Sequence, residues 1–538
     1  MMFGGMQDFS LRVTTLIDHA VREHGSREIV TRWADGSLER SNWANVGLEA
    51  RKMAQALLRL GMKKGDRIAT LAMNHGRHLA SWYGVAGMGG ILHTVNPRLF
   101  EEQLVYIFNH AEDRVLFYDA AFQPIIDKLK PQLKTIEHYF CYDGAGDVPD
   151  YLSLIGAEDG VFDWVDGDEH DPCGLCYTSG TTGDPKGVLY THRSNVLHAI
   201  AEMQPDVFSL SSRTVALPIV PMFHANAWGL PYAGAAAGAK MVFSTVNDPA
   251  VLWELIRGEH VTHSAGVPTV WLSLFAHMDA HGGDYAGLER IVIGGSAAPR
   301  AMIERFLRAG VLVGHAWGMT ETSPIGTMGA LPPGWETLSI EEQVEVVSRQ
   351  GRVPYLVEMR IVDDDGNVLP RNGEVSGRLQ VRGPWIIARY FQDGQGPATD
   401  ADNWFDTGDV SILHPDGTMQ ITDRSKDVIK SGGEWISSIE LENAAMGCAG
   451  VAEAAAVGIY HPKWDERPLL LVVRKPDSGI GAQEVLDHLN GKIAKWWMPD
   501  EVKFVEQLPH TATGKLLKRA IRDDYRDYRF PGTEPSGA

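Results

Sequence analysis

Residues 177–187, Tyr-Thr-Ser-Gly-Thr-Thr-Gly-Asp-Pro-Lys-Gly, gather what a protein needs to hold a polyanion. Gly180, Gly183 and Gly187 let the backbone curl closely, so that N–H groups and the hydroxyls of Thr178, Ser179, Thr181 and Thr182 can donate to one anion. Lys186 adds a positive charge. The string is not a Walker A loop, which ends Gly-Lys-Ser/Thr, because Pro185-Lys186-Gly187 breaks that spacing.

Further chemistry-bearing segments follow in order: Pro221-Met-Phe-His224, Gly294-Gly-Ser-Ala-Ala-Pro299, Trp317-Gly-Met-Thr-Glu321, Trp404-Phe-Asp-Thr-Gly-Asp409, residues 423–434, and Leu508-Pro-His-Thr-Ala-Thr-Gly-Lys515. With the phosphate loop, this series resembles the adenylate-forming superfamily of acyl-CoA synthetases, firefly-type luciferases and peptide-synthetase adenylation domains. The resemblance covers essentially the whole chain. It implies an ATP-dependent acid–thiol ligase that makes an acyl-adenylate and then a coenzyme A thioester, with AMP as product and Mg²⁺ on the phosphates.

The chemistry makes sense of these residue types. A carboxylate attacking the α-phosphorus of ATP brings two anions together, which requires cations and a fixed in-line geometry. Lys515, on a Thr-Ala-Thr-Gly turn, is the candidate to hold carboxylate and α-phosphate together, the role the resemblance gives it. Mg²⁺ prefers oxygen ligands, and Glu321 with Thr178 suits it. Around Ser179, Gly180, Thr181, Thr182, Gly183 and Lys186, the nucleotide pocket draws on Ser296, Ala297 and Ala298, and on His315, Ala316, Trp317, Gly318, Met319 and Thr320. Trp317, where the family more often carries Tyr, is expected to stack on adenine, and His315 to stand near its amino group. Asp409 is placed to accept the ribose hydroxyls and Arg424 to donate to ribose or phosphate, although Asp423 replaces the Gly that usually precedes that arginine.

The thioester half calls for movement, since Lys515 and the phosphate loop lie in different parts of the chain. By resemblance the C-terminal domain rotates about Lys426, bringing Lys430, Gly432, Gly433 and Glu434 to face the site and admit the pantetheine arm. His224 stands beside the acid, as a gate between half-reactions or as a structural histidine. Trp228, Gly294, Gly295, Pro324 and Ile325 are expected to line the acyl pocket. By resemblance, amino-acid-activating relatives place an Asp near there to hold an α-ammonium group; none stands among Ala225-Asn-Ala-Trp228, which implies an acid without an amine. A Trp in the pocket favours a short or medium chain and tolerates sulfur. The stretch Arg77-His-Leu, Tyr83-Gly-Val, His93-Thr-Val-Asn-Pro-Arg-Leu99 and Asn109-His-Ala-Glu-Asp113 resembles a subgroup of medium-chain acyl-CoA ligases that includes the 3-methylthiopropionate–CoA ligases. The favoured acid is therefore 3-(methylthio)propionate, with a medium-chain fatty or aryl acid as alternative. A phosphotransferase and a non-catalytic nucleotide sensor are the readings from other classes.

These residues need a scaffold. Apolar residues at 50, 53, 54, 57 and 58 recur at helical spacing before Gly61. Strand-like runs at 67–72, 91–95, 115–118 and 140–142 alternate with helical patterns such as 78–88, as do 288–293 and 311–313 around a helix at 299–308. Such alternation predicts an α/β fold with parallel or mixed sheets covered by helices. From about residue 373 the texture turns β-rich, with a hairpin turn at Asp416-Gly417. The predicted layout is an ATP- and acid-binding domain over 1–423, a hinge at 424–430 overlapping a polar linker 425–434, and a small mobile α+β domain over 431–538. That last domain holds helices at 439–446, 482–495 and 515–524.

The 538-residue chain has 44% apolar and 22% charged residues, an ordinary globular balance, and a formal net charge of −20. That sign argues against a nucleic-acid partner and requires local positive charge for ATP or a carboxylate. No apolar run reaches the ~20 residues of a membrane span, and the N-terminus lacks a signal-peptide pattern, so the chain reads as soluble and cytoplasmic. A homodimer stays open. Four cysteines do not make a disulfide framework, and Cys173/Cys176 read as buried small residues rather than a metal pair. His277/His281 reads as a solvated helix face, Trp496-Trp497 as a domain anchor and Asp363–Asp365 as an exposed turn.

Overall fold

Strands buried on both faces need helices on both sides, and that requirement organises the first half of the chain. The computed structural model describes residues 5–144, 149–178, 184–424, 426–432, 434–510 and 516–531. Among these, a six-stranded sheet runs in the order His138–Cys141, Asp113–Tyr118, Arg67–Leu71, Ile91–Thr94, Pro172–Tyr177, Gly187–Thr191. Its pairs are parallel except the last, where Pro172–Tyr177 and Gly187–Thr191 run antiparallel. An eight-stranded sheet beside it is ordered Ile325–Met328, Leu312–Gly318, Arg290–Ile293, His263–Gly266, Val215–Pro218, Lys240–Ser244, Glu28–Arg32, Leu38–Asn42.

The helix Trp43–Arg59 carries the periodic residues: Ala50, Met53, Ala54 and Leu57 are buried, whereas Leu58 is on the rim. Asn42 caps it by accepting from the Asn45 N–H, and Gly61 takes the left-handed conformation just past its end. The helix Gly76–Gly87 crosses it so closely that a Cβ on Gly84 would come within 2.7 Å of the Ala50 carbonyl oxygen and of Met53. Replacing Gly84 with Val would force the two helices apart.

The β-rich region is an antiparallel sheet, Glu358–Val362, Ser376–Arg382, Phe405–Leu413 and Met419–Arg424. A last sheet pairs Glu434–Ile436, Ile429–Ser431, Asp465–Arg474 and Val451–His461, with Glu501–Phe504 parallel to Asp465–Arg474. The linker expected over 425–434 is therefore partly a short strand pair, because Ile429 and Ile436 both bury into the C-terminal core. The helix expected over 482–495 stops at Leu489, since Asn490 is extended and Gly491 is left-handed. The last helix begins at Lys518, and the strand expected over 311–313 runs on to Gly318, so His315 and Trp317 sit inside a strand rather than after one.

Cys141, Cys173, Cys176 and Cys448 are free and buried, with burial pushing the Cys173 thiol up to about 12 and Cys176 to about 11. No group of metal-ligating side chains occurs among the described residues, and His277 stacks on His281 instead. Trp497 packs into the C-terminal core while Trp496 stays 42% exposed, so one of the two tryptophans anchors the domain. Among the described residues, no helix is long and apolar enough to cross a membrane.

Candidate active site

The antiparallel pair Pro172–Tyr177 and Gly187–Thr191 continues into contacts between Thr178 and Lys186, which flank the candidate phosphate-binding segment. Thr178 N–H donates to the Lys186 carbonyl oxygen at 2.9 Å, and Lys186 N–H reaches Thr178 Oγ1 at 3.4 Å. Residues Ser179, Gly180, Thr181, Thr182 and Gly183 lie outside the described residues, as do Gly433 and Lys515.

From Lys186 a chain of polar contacts leads inward. Lys186 Nζ stands 4.7 Å above the centre of the Tyr390 ring, and the Tyr390 hydroxyl donates to Glu321 Oε1 at 2.9 Å. Glu321 is 7% exposed and sits in the short turn Thr320–Thr322; its carbonyl accepts from Ile387 N–H, and Tyr190 OH donates to the Thr320 carbonyl. Burial raises the Glu321 carboxyl above the usual range, against the pull of the Tyr390 hydrogen bond and the Arg424 charge, and Asp409 raises it further. Nothing in the sequence singles out Tyr390, a lone tyrosine after Arg389; only the fold brings it between two motifs.

The ribose candidate is built across two sheets. Asp409 and Arg424 are cross-strand partners, with Arg424 Nε 3.5 Å from Asp409 Oδ1, while Trp317 Nε1–H donates to Asp409 Oδ2 at 2.8 Å. Trp317 is 6% exposed and its ring lies against Gly326, where a Cβ would collide with it. The ring is thus committed along its edge and on one side. His315 is likewise committed. Its Nδ1 contacts the Ser348 carbonyl at 3.1 Å and its Nε2 accepts from Ala298 N–H at 3.2 Å, so the neutral ring carries its proton on Nδ1. Burial pulls its pKa down to about 4. His315 therefore holds the Ser296–Ala297–Ala298 loop in place, with both ring nitrogens already engaged. Ser296 is exposed at the mouth and Ala298 is buried beneath it.

On the side proposed for the acid, His224 and Phe223 line a small, partly open cleft together with Thr94, Asn96, Leu99, Ile107 and Tyr177. In the sequence, Thr94, Asn96 and Leu99 stand out only as part of the segment 93–99 that carries the subgroup resemblance. After His224 the backbone makes a left-handed turn through Ala225, Asn226, Ala227 and Trp228, with φ from 42° to 56°, ending on Gly229 at 83°. Non-glycine residues resist that conformation by about 1–2 kcal/mol each, so the surroundings must hold it. The turn is wholly buried and lays Trp228 against Gly294, where a Cβ would meet its ring at 3.0 Å. Gly295 is left-handed, and Ile325 is buried after a cis Ser323–Pro324 bond, with the Pro324 carbonyl accepting from Met319 N–H.

At the far end, Lys426 and Lys430 are exposed; Lys430 N–H donates to Glu466 Oε2, and Gly432, left-handed at 62°, donates to the Trp464 carbonyl. Glu434 begins a strand paired to Ser431. Asp423, the departure from the family glycine, is fully buried and ties the two parts of the chain: its Oδ1 accepts from Arg424 N–H and its Oδ2 from Ser438 N–H, both at 2.7 Å.

The oxygen donors suit a hard divalent cation: a buried carboxylate at Glu321 and a hydroxyl at Thr178.

Comparison with known proteins gives concordant likenesses. A family model described as AMP-binding enzyme matches residues 17–391, and one described as AMP-binding enzyme C-terminal domain matches residues 440–515. A 3-methylmercaptopropionyl-CoA ligase of Ruegeria lacuscaerulensis is 49% identical over 98% of this chain and 99% of its own length. A medium-chain-fatty-acid–CoA ligase of Ectopseudomonas oleovorans is 46% identical over 98% of each. Among solved structures, an anthranilate CoA ligase bound to anthranoyl-AMP superposes with a TM-score of 0.86 at 23% identity, covering 97% of this chain and 99% of that one. ATP-bound MatB from Rhodopseudomonas palustris superposes at 0.83 and 23% identity, covering 96% and 99%. At that identity the structural likeness speaks for the fold.

Proposed function

Since the chain belongs to the AMP-binding enzymes, we propose that it is an AMP-forming acyl-CoA ligase that joins a short- to medium-chain carboxylic acid to coenzyme A, 3-(methylthio)propionate foremost. The observation that carries the reading is the Lys186–Tyr390–Glu321 chain, which links the base of the phosphate loop to a buried carboxylate. A cation-binding carboxylate next to a polyphosphate cradle is what nucleotidyl transfer needs. When bound, Mg²⁺ supplies charge neutralisation on the phosphates; Glu321 and Thr178 would hold it.

The remaining roles follow from position. Lys186 and the loop Thr178–Gly183 bind the phosphates, and Asp409, held by Trp317, accepts the ribose hydroxyls with Arg424 beside it. The Ser296–Ala298 loop, fixed by His315, and the backbone of Ala316, Gly318, Met319 and Thr320 form the base pocket. Trp317 stacks on adenine there, while its indole N–H supports Asp409. Trp228 on Gly294, with Gly295, Pro324 and Ile325, bounds an acyl pocket that suits a slim apolar chain. His224 stands where the acid meets the incoming thiol. Lys515 bridges carboxylate and α-phosphate during adenylation, and rotation about Lys426 exchanges it for Lys430, Gly432, Gly433 and Glu434. The domains then span 1–423 and 431–538. A cytoplasmic enzyme with coenzyme A as co-substrate completes the reading, with a homodimer compatible with it.

The test is a pyrophosphate-release screen over short, medium, aryl and methylthio acids, with acyl-AMP and acyl-CoA followed by mass spectrometry. Pyrophosphate, AMP and a thioester are the expected products, highest with methylthio or medium-chain acids. Release of ADP and orthophosphate would select a phosphotransferase instead, and tight ATP binding without turnover a sensor.

A further inference from the structure

Behind the acyl pocket lies an acid–base pair that none of the roles above uses. The helix His192–Glu202 presents His198 and Glu202 one turn apart on one face, and both are buried, at 2% and 0% exposure. His198 Nδ1 lies 3.4 Å from Glu202 Oε1, and among the described residues neither carboxyl oxygen has a hydrogen bond of good geometry. An ionised carboxylate without partners is costly in a dry interior, so this one is held protonated by its burial.

The pair touches two walls of the pocket at once. On one side His198 Nε2 accepts from the Ile325 N–H at 3.2 Å. The strand pairing of Ile325 with Gly318 is bulged there, and the imidazole takes a backbone donor that the irregular ladder leaves available. Trp385 closes the same anchor, donating its Nε1–H to the Ile325 carbonyl at 3.0 Å and meeting the His198 ring edge-to-face at 5.7 Å. On the other side the pair packs under Gly229, the end of the left-handed turn: a Cβ there would lie 2.6 Å from His198 Nδ1 and would collide with Glu202 Oε1.

We propose that His198 and Glu202 are positioning residues for acid selection, fixing the Ile325 backbone and the Trp228 turn relative to one another and so setting the length of acyl chain the pocket admits. The inference rests on the acyl-CoA ligase reading. A core pair of merely structural value would, when broken, lower activity towards every acid alike. A pair that spaces two pocket walls changes the ranking among acids.

The experiment measures kcat/KM for a ladder of straight-chain acids and their methylthio analogues, with the KM for ATP as internal control. Glu202→Gln preserves the shape and polarity beside His198 Nδ1, and is expected to keep the wild-type ranking. Glu202→Leu replaces the carboxyl packed against His198 and Gly229 with a branched apolar group and is expected to shift the ratio of longer to shorter acids by tenfold or more towards the longer, with ATP KM within twofold. An unchanged ratio, or a uniform fall across the ladder, overturns the proposal. If Glu202→Leu is insoluble, Trp385→Phe decides. It keeps the ring but loses the bond to Ile325, so a shift in the same direction supports the proposal and an unchanged ratio overturns it. Failure of the wild-type protein to adenylate any acid would instead sink the parent reading, before a variant is compared.

Discussion

Trp317 and Asp409 come from different sheets and meet through a 2.8 Å hydrogen bond between the indole N–H and a carboxylate oxygen. The bond orients the carboxylate proposed to receive the ribose, leaving Oδ1 towards Arg424. A hydrogen bond to a charged acceptor contributes about 1.5–3 kcal/mol, and each 1.4 kcal/mol is about tenfold in affinity. Trp317→Phe is therefore expected to raise the KM for ATP roughly tenfold or more, with a smaller effect on the KM for the acid. Steady-state pyrophosphate release checks it; an unchanged ATP KM would show that Asp409 does not depend on the indole.

Tyr390 sits between Lys186 and Glu321, and its hydroxyl holds the Glu321 carboxyl below where burial alone would put it. The ionised carboxylate is the form that can serve a cation, so activity falls as pH drops through its pKa. Tyr390→Phe removes the lowering contribution, the pKa climbs, and the acid limb of the adenylation profile is expected to move to higher pH. A pH series of acyl-AMP formation at saturating Mg²⁺ measures this. A limb that stays put or moves to lower pH contradicts the assignment.

Much of this was legible in the residues, for identifiable reasons. Motif glycines and hydroxyls report backbone demands that hold whatever surrounds them, which is why the segment at 177–187 draws a site reading from sequence alone; the fold describes its base, where Thr178 N–H meets the Lys186 carbonyl. Helical spacing placed Ala50, Met53, Ala54 and Leu57 in the core because periodicity is a local property. Tyr390, Trp385 and the His198–Glu202 pair were not legible, since their roles exist only where elements distant in sequence meet. His315 and Trp317 are read from sequence as partners of the base; the contacts of His315 with Ser348 and Ala298, and of the Trp317 edge with Asp409, come only from the fold. Boundaries failed where side-chain pattern was ambiguous, as at Asn490, whose extended backbone ends a helix that periodicity alone would continue.

Asp423 is buried at the seam before the C-terminal strands, accepting from Arg424 N–H and from Ser438 N–H at the start of the helix Ser438–Met446. Asp423→Ala leaves both donors without that partner, at a cost of about 1–3 kcal/mol for each buried group. Limited proteolysis is expected to cut the variant faster between residues 424 and 437 than the parent, releasing a C-terminal fragment. Asp423→Asn, which keeps one acceptor, should fall between the two. Equal cleavage rates for all three would mean that the seam is held by other contacts, such as Arg522 with Asp427.

Lys515 carries the last prediction, because its proposed role separates the two half-reactions. Two anions, the acid's carboxylate and the α-phosphate, repel at the moment of attack, and a positioned ammonium relieves that repulsion only in that step. Lys515→Ala is expected to lower the rate of acyl-AMP formation at least a hundredfold, about 2.7 kcal/mol of transition-state stabilisation. The same variant, supplied with preformed acyl-AMP and coenzyme A, should make thioester within a few-fold of the wild-type rate. Single-turnover measurements of both steps on the same preparation distinguish this from general damage. A variant that loses both equally points to a folding role, and one that adenylates normally removes Lys515 from the reacting centre.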